Sequence, residues 1–293
     1  MLIILTSILY NEIVYLDEWI DFHLKQGIDK LYIFIRYKKE NRDDNLFNTV
    51  KKKYSENLNI IFIHLIWKPF NQIHHFFKNF YKRHINDWMA IIDIDEFLYS
   101  PLENKKIPDI IEIYEKEKKY AIGVNWKCFG SNNIDENSEF KVLEKFTKCA
   151  DKYNGINQSI KSLFKINIID TNNLFPIKSI HKYPIKKGHR YYTSTGLDYI
   201  KHNETNFEKL KSDRKKYLKN INKSAGSTMC NSHYVYVEEY PFLVLNHYIV
   251  RSKEEYLMKI KNNSHRKDRY NLNIFNNLNS VLNSEEDTTI LNK

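Results

Sequence analysis

Glycine is scarce, with 7 in 293 residues, and neither G-x-G-x-x-G nor G-x-x-x-x-G-K-[ST] occurs. A glycine-rich backbone loop is therefore not what would cradle a phosphate here. Cysteine is scarcer still: Cys128, Cys149 and Cys230, an odd number with no C-x-x-C spacing. That argues against a disulfide framework or a cysteine-built zinc site and suits a reducing compartment. No H-E-x-x-H and no G-x-S-x-G elbow is present, so neither a zinc hydrolase nor a serine triad has support. No apolar run approaches the length of a membrane span. The opening MLIILTSILY is too short, has no basic leader and has no small-residue cleavage site. It reads as a buried strand, and the chain as cytoplasmic.

What the chain does have is bulk and positive charge. Hydrophobic residues make up 42%, with 21 Tyr and 17 Phe, enough for one large core. The formal net charge of +10 suits anionic partners: nucleotides, nucleic acid or the periphery of an acidic membrane. The lysines are spread along the chain, so much of this charge reads as solvated surface.

The apolar pattern predicts strands at Leu2–Leu9, Lys30–Arg36, Asn59–Ile66 and Asp87–Ile92. Helical spacing lies between them. Tyr15, Leu16, Trp19, Phe22 and His23 share one face before a stop at Gly27, Leu46–Tyr54 is short, and Gln72–His84 is amphipathic. This alternation predicts an α/β fold with a Rossmann-like, mostly parallel central sheet flanked by helices. The second half is less regular: a surface helix near 105–119, strands near 121–129, 159–169 and 242–250, and a helix at 253–261. Residues 1–261 are expected to form one domain and 262–293 a polar, Asn-rich tail.

The chemistry concentrates in residues 89–100, MAIIDIDEFLYS. Asp93, Asp95 and Glu96 sit between Ile91-Ile92 and Phe97-Leu98, where an unpaired carboxylate is costly. Alternate residues of an extended chain share a face, so Asp93 and Asp95 present oxygens to one hard cation, Mn²⁺ or Mg²⁺, which can bridge phosphates. The bland alternative is an acidic turn with Asp95 capping a following helix. Asn11-Glu12 ends the first strand and falls on the same rim, where α/β sheets bind ligands. His181 and His247 lie by strand-like runs and can complete a metal site or contact phosphate. The basic aromatic stretch KKGHRYYTS (186–194) can stack on bases, cover an anion or be plain surface.

Several of these stretches together resemble glycosyltransferase family 92 and its relatives in the glycosyltransferase 2-like group. TSILYNEIVYLDEWIDFHLKQGIDKLYIF, WMAIIDIDEFL, NWKCFGSNN, IKSLFKINIIDTNNLFPIKSIH and LNHYIVRSKEEYLMKI resemble five family motifs, in order, over residues 3–260. The resemblance implies a GT-A fold with a less regular acceptor-side half, a nucleoside diphosphate sugar donor (a UDP-sugar favoured) and usually Mn²⁺. It implies an acceptor hydroxyl on a glycan, glycolipid or glycoprotein, and inversion at the sugar. It would put Asn11 and Glu12 near the nucleotide, Asp93 and Asp95 on ribose and metal, and His247 on metal or diphosphate. Trp126, Phe129, Gly130 and Ser131 would shape the donor-sugar side, with Lys161 and His181 near the diphosphate or acceptor. Asn133 departs from the pattern, standing where the family turn has Gly. An inverting reaction needs a carboxylate base, and Asp135, Glu136 and Asp151 are candidates by position.

Two other classes remain open. A two-metal phosphodiesterase or nuclease could use Asp93, Asp95 and Glu96, and a non-catalytic protein could hold nucleic acid by charge. Both account for the charge but not for the ordered motifs, so no nucleic-acid partner is expected.

Overall fold

The computed structural model describes residues 1–136, 139, 141–177, 179–220, 234–262 and 271–293; Cys230 lies outside them. The first half alternates β1 (Leu2–Leu9), a 3₁₀ turn (Tyr10–Tyr15), α1 (Leu16–Lys25), β2 (Lys30–Tyr37), α2 (Asp44–Lys53), β3 (Ile60–Ile66), α3 (Asn71–Asn79) and β4 (Trp88–Ile91). There follow β5 (Glu96–Tyr99), α4 (Ile107–Lys116), β6 (Ala121–Cys128), β7 (Lys148–Cys149) and β8 (Ile160–Lys165). The chain continues through α5 (Tyr199–Thr205), α6 (Phe207–Asn220), β9 (Val244–His247), α7 (Lys253–Asn262), α8 (Leu272–Leu282) and β10 (Glu285–Glu286).

Strands β3, β2, β1 and β4 lie side by side and parallel. Their side chains alternate between two cores. Ile4, Ile8, Ile33 and Ile35 pack with Trp19 and Ile20 of α1 and with Ile110 of α4. Ile3, Leu5, Tyr32 and Phe34 pack with Ile73 and Phe76 of α3. Burial on both faces is why these strands read as unbroken apolar runs. α1 ends at Gly27, whose φ is +88°, with the Pro108 ring where a Cβ would stand.

The sheet continues through β8, β6, β9 and β5. Strands β8 and β5 run against the other six. β4 and β5 are separated by only four residues, yet three strands lie between them. Five residue steps reach about 17 Å, while four strand spacings across a flat sheet need about 19 Å. The sheet must therefore curl, and the Asp93–Asp95 turn closes the curl. This corrects the capping alternative: Asp95 leads into a buried strand, not a helix.

The expected polar tail is also corrected. Phe275, Leu278 and Leu282 of α8 are buried in a third cluster with Tyr256 of α7, and β10 pairs with β7. The asparagines that make this segment look polar are used in contacts. Asn279 Oδ1 accepts from Ser131 N and Oγ, and Asn283 Oδ1 accepts from Asn132 N.

Candidate functional site

The C-terminal rim of the curled sheet gathers the candidate residues. β1 delivers Asn11-Glu12, β4 delivers Asp93, β6 carries Trp126 where it pairs with β9, and β9 ends at His247. Lys161 enters from β8, which runs the other way, so its N-terminal end meets this rim.

Helix α1 holds the acidic turn in place. Trp19 Nε1 donates to Glu96 O at 2.9 Å, and Leu98 N donates to His23 Nε2 at 3.2 Å. The His23 ring is fully buried, and Nδ1 meets Trp19 O at 2.8 Å. Burial pushes His23 down to about 3, so it is neutral. Leu98 N needs an acceptor at Nε2, which leaves Nδ1 as the donor to Trp19 O. Trp19 and His23 are thus braces for β5.

Asp93 faces a buried lysine. Lys161 Nζ lies 2.7 Å from Asp93 Oδ2 and 3.3 Å from Glu96 Oε2. Burial works against the Lys161 charge, but the two carboxylates outweigh it and hold its pKa above the ordinary lysine value. Glu96 is fully buried, accepts from Asp93 N at 2.8 Å and leaves Oε1 without a hydrogen-bond partner. Burial pushes its carboxyl up to about 8, Lys161 notwithstanding.

Asp95 faces the other way. Its Oδ2 lies 3.3 Å from Lys259 Nζ, and its Oδ1 lies 3.7 Å from His247 Nε2. Burial opposes the Asp95 charge; Lys259, His247 and Arg251 outweigh it and keep the carboxyl below the usual range. Burial pushes His247 down to about 4 against the pull of Asp95, so the ring is neutral near pH 7. Its Nδ1 is buried without a hydrogen-bond partner.

Two ligands of one small cation at about 2.1 Å lie about 3 Å apart when adjacent. Asp95 Oδ1 and His247 Nε2 are close to that spacing. A carboxylate and a neutral imidazole fit Mn²⁺ or Mg²⁺ that takes its other ligands from phosphate and water. Asp93 is engaged by Lys161. Among the described residues, no group of three or more His, Cys, Asp or Glu is arranged to hold an ion.

The remaining candidates divide. The Trp126 ring sits 4.4 Å from His247 and 5.3 Å from His181, which joins both histidines to the rim. His181 Nδ1 meets Ile160 O at 2.8 Å. Gly130, Ser131 and Phe129 are buried instead. A Cβ on Gly130 would stand 2.2 Å from Asn283 Oδ1, so this turn seats α8. Asn133 has φ +60°, a left-handed backbone that favours glycine and that asparagine tolerates better than most other residues. Of the base candidates, Glu136 lines a cavity of about 410 Å³ with Asn11, Glu12, Tyr15, Arg251 and Lys259. Asp135 is exposed, 3.8 Å from Lys253, and Asp151 is exposed beside Ser284 and Glu285.

Sequence reasoning does not nominate Arg251, Glu255 or Lys259. A signal existed for two of them, since Glu255 and Lys259 stand four apart just after His247 and so share one side of α7; Arg251 precedes that helix.

No family model matches the chain, and no curated protein matches it significantly. Solved structures do. HddC from Yersinia pseudotuberculosis is 11% identical with a TM-score of 0.36, over 72% of this chain and 99% of that one. The mannosyltransferase Ktr4p from S. cerevisiae in complex with GDP is 10% identical with a TM-score of 0.28, over 45% and 41%. A UDP-glucose pyrophosphorylase complexed with UDP-glucose is 10% identical with a TM-score of 0.28, over 57% and 76%. At these scores no residue role carries over. Among the described residues, no helix is long and apolar enough to cross a membrane.

Proposed function

We propose that the chain is a glycosyltransferase of the family 92 type. It moves a hexose from a nucleoside diphosphate sugar, a UDP-sugar favoured, to a hydroxyl of a glycan, glycolipid or glycoprotein, with inversion. The observation that carries this reading is the convergence of Asn11-Glu12, Asp95, Lys161, Trp126 and His247 on one strand-end rim beside a cavity. Strand ends of this kind are where open α/β sheets bind nucleotides.

In this reading Asn11 and Glu12 bond the nucleoside, and Asp95 with His247 would hold a divalent cation. The cation, when bound, would neutralise charge on the departing diphosphate. Lys161 and Lys259 add fixed positive charge to the same region and stabilise the leaving group as the glycosidic bond breaks. Trp126 offers an apolar wall for the sugar. Glu136 is the base candidate that reaches the cavity, and it would take the acceptor hydroxyl proton.

The test is thermal unfolding against nucleotides and nucleotide sugars, with and without Mn²⁺. A ligand specific for the native state raises the midpoint by mass action. The expected result is a Mn²⁺-dependent rise with UDP or GDP that is lost in Asp95→Ala. A rise confined to oligonucleotides and abolished by salt would overturn the proposal in favour of nucleic-acid binding.

A further inference from the structure

The cavity beside Asp95 contains an arginine that its protein neighbours do not satisfy. Arg251 follows β9, is 3% exposed, and has φ +50°, a left-handed backbone that residues with long side chains seldom adopt. Its Cζ stands 4.1 Å from the centre of the Tyr15 ring. Its Nε lies 3.1 Å from Glu255 Oε1 but without the alignment of a hydrogen bond, and neither Nε nor Nη1 has a hydrogen-bond partner. Glu255 is already occupied: Tyr15 donates its hydroxyl to Oε1, and Ser252 donates N and Oγ to Oε2.

A buried cation with idle N–H groups is costly, and so is the backbone that holds it. Such a combination at a cavity wall makes sense where a ligand completes the bonding. A guanidinium fork matches the oxygens of a phosphate. Lys259 stands on the same wall. Of the carboxylates lining the cavity, Glu136 and Glu254 are exposed, Glu255 is engaged by Tyr15 and Ser252, and burial raises the Glu12 pKa above the ordinary value. A ligand with one anionic end and one neutral, hydrogen-bonding end fits, its neutral end towards Asn11 and Glu12.

We infer that Arg251 is a phosphate-binding residue of this cavity, taking a phosphate oxygen of a nucleoside diphosphate without the help of a metal ion. The inference rests on reading the cavity as the nucleotide site. The experiment is calorimetric titration of the full chain with ADP, CDP, GDP and UDP and with the matching nucleosides, in EDTA and in Mn²⁺. Arg251→Gln should weaken the nucleoside diphosphate that the wild type binds by about tenfold or more in both buffers, the loss of one charge-assisted bond. It should leave the nucleoside unchanged, and Arg251→Lys should recover part of the loss. Wild-type binding that both variants match would overturn the role of Arg251 and leave the nucleotide reading standing. Equal weakening of nucleoside and diphosphate would make Arg251 structural and overturn the inference. Absence of all nucleotide binding in the wild type would overturn both. If Arg251→Gln does not fold, the wild type still decides. The Arg251 Nε–H resonance, assigned against Arg251→Lys, should shift with the diphosphate and not with the nucleoside; an unmoved resonance refutes the contact.

Discussion

Glu96 makes stability depend on pH in a direction that can be worked out. The side chain is fully buried, and burial raises its pKa from the ordinary 4.5 to about 8. The folded protein therefore holds a proton that the unfolded chain gives up. The stabilisation is fully present below pH 4.5 and is lost as pH rises through about 8. A shift of roughly three and a half units corresponds to about 5 kcal/mol at most, and relaxation around the charge would leave about 3–5 kcal/mol. Glu96→Gln keeps an acceptor for Asp93 N and removes the titration. Relative to wild type, the variant should gain about 3–5 kcal/mol between pH 4.5 and pH 8.5. Urea unfolding of both proteins at several pH values, followed by tryptophan fluorescence, measures the difference. A difference that stays flat across that range would refute the argument: Glu96 would then be ionised throughout and fully compensated by Lys161.

Trp19→Phe leaves the buried Glu96 carbonyl without its donor and should destabilise by about 1–3 kcal/mol; an unchanged urea midpoint would mean that β5 is not braced from α1. Gly27 and Gly188 both have positive φ, but only Gly27 has Pro108 atoms where a Cβ would be. Alanine at each should cost about 1 kcal/mol in backbone strain, with a larger loss at Gly27; equal melting points for the two variants would contradict this. Asn279→Ala should cost about 1–3 kcal/mol by stranding the donors of Ser131; an unchanged urea midpoint would contradict this. Asp95→Ala should abolish turnover while the far-ultraviolet dichroism stays native; retained activity would sink its assigned role.

β1, β2 and β4 could be read in the chain because both their faces are buried, so each is an apolar run of its own length; β3, at the sheet edge, is apolar but only partly buried. Gly27 marks the end of α1 because few other residues take its backbone angles. Asp93, Asp95 and Glu96 stand out because carboxylates wedged between Ile92 and Phe97 must meet something positive. What they meet is not legible. Among 46 lysines and arginines, nothing local distinguishes Lys161 or Lys259 as the partner. Helix α8 was obscured because its three buried side chains are spaced among asparagines, whose value lies in bonds to a turn some 150 residues earlier.

The sequence by itself determined that the strands of the first half are apolar and largely buried and that Asp93, Asp95 and Glu96 carry costly charge, since both follow from each residue's own chemistry and spacing. Only the tertiary structure decided that Asp93 turns to Lys161, that Asp95 turns to His247 and Lys259, and that Gly130 serves α8. Those pairings depend on how the sheet curls: a four-residue turn must join strands that three others separate, and closing that distance brings the ends of β1, β4, β6, β8 and β9 together.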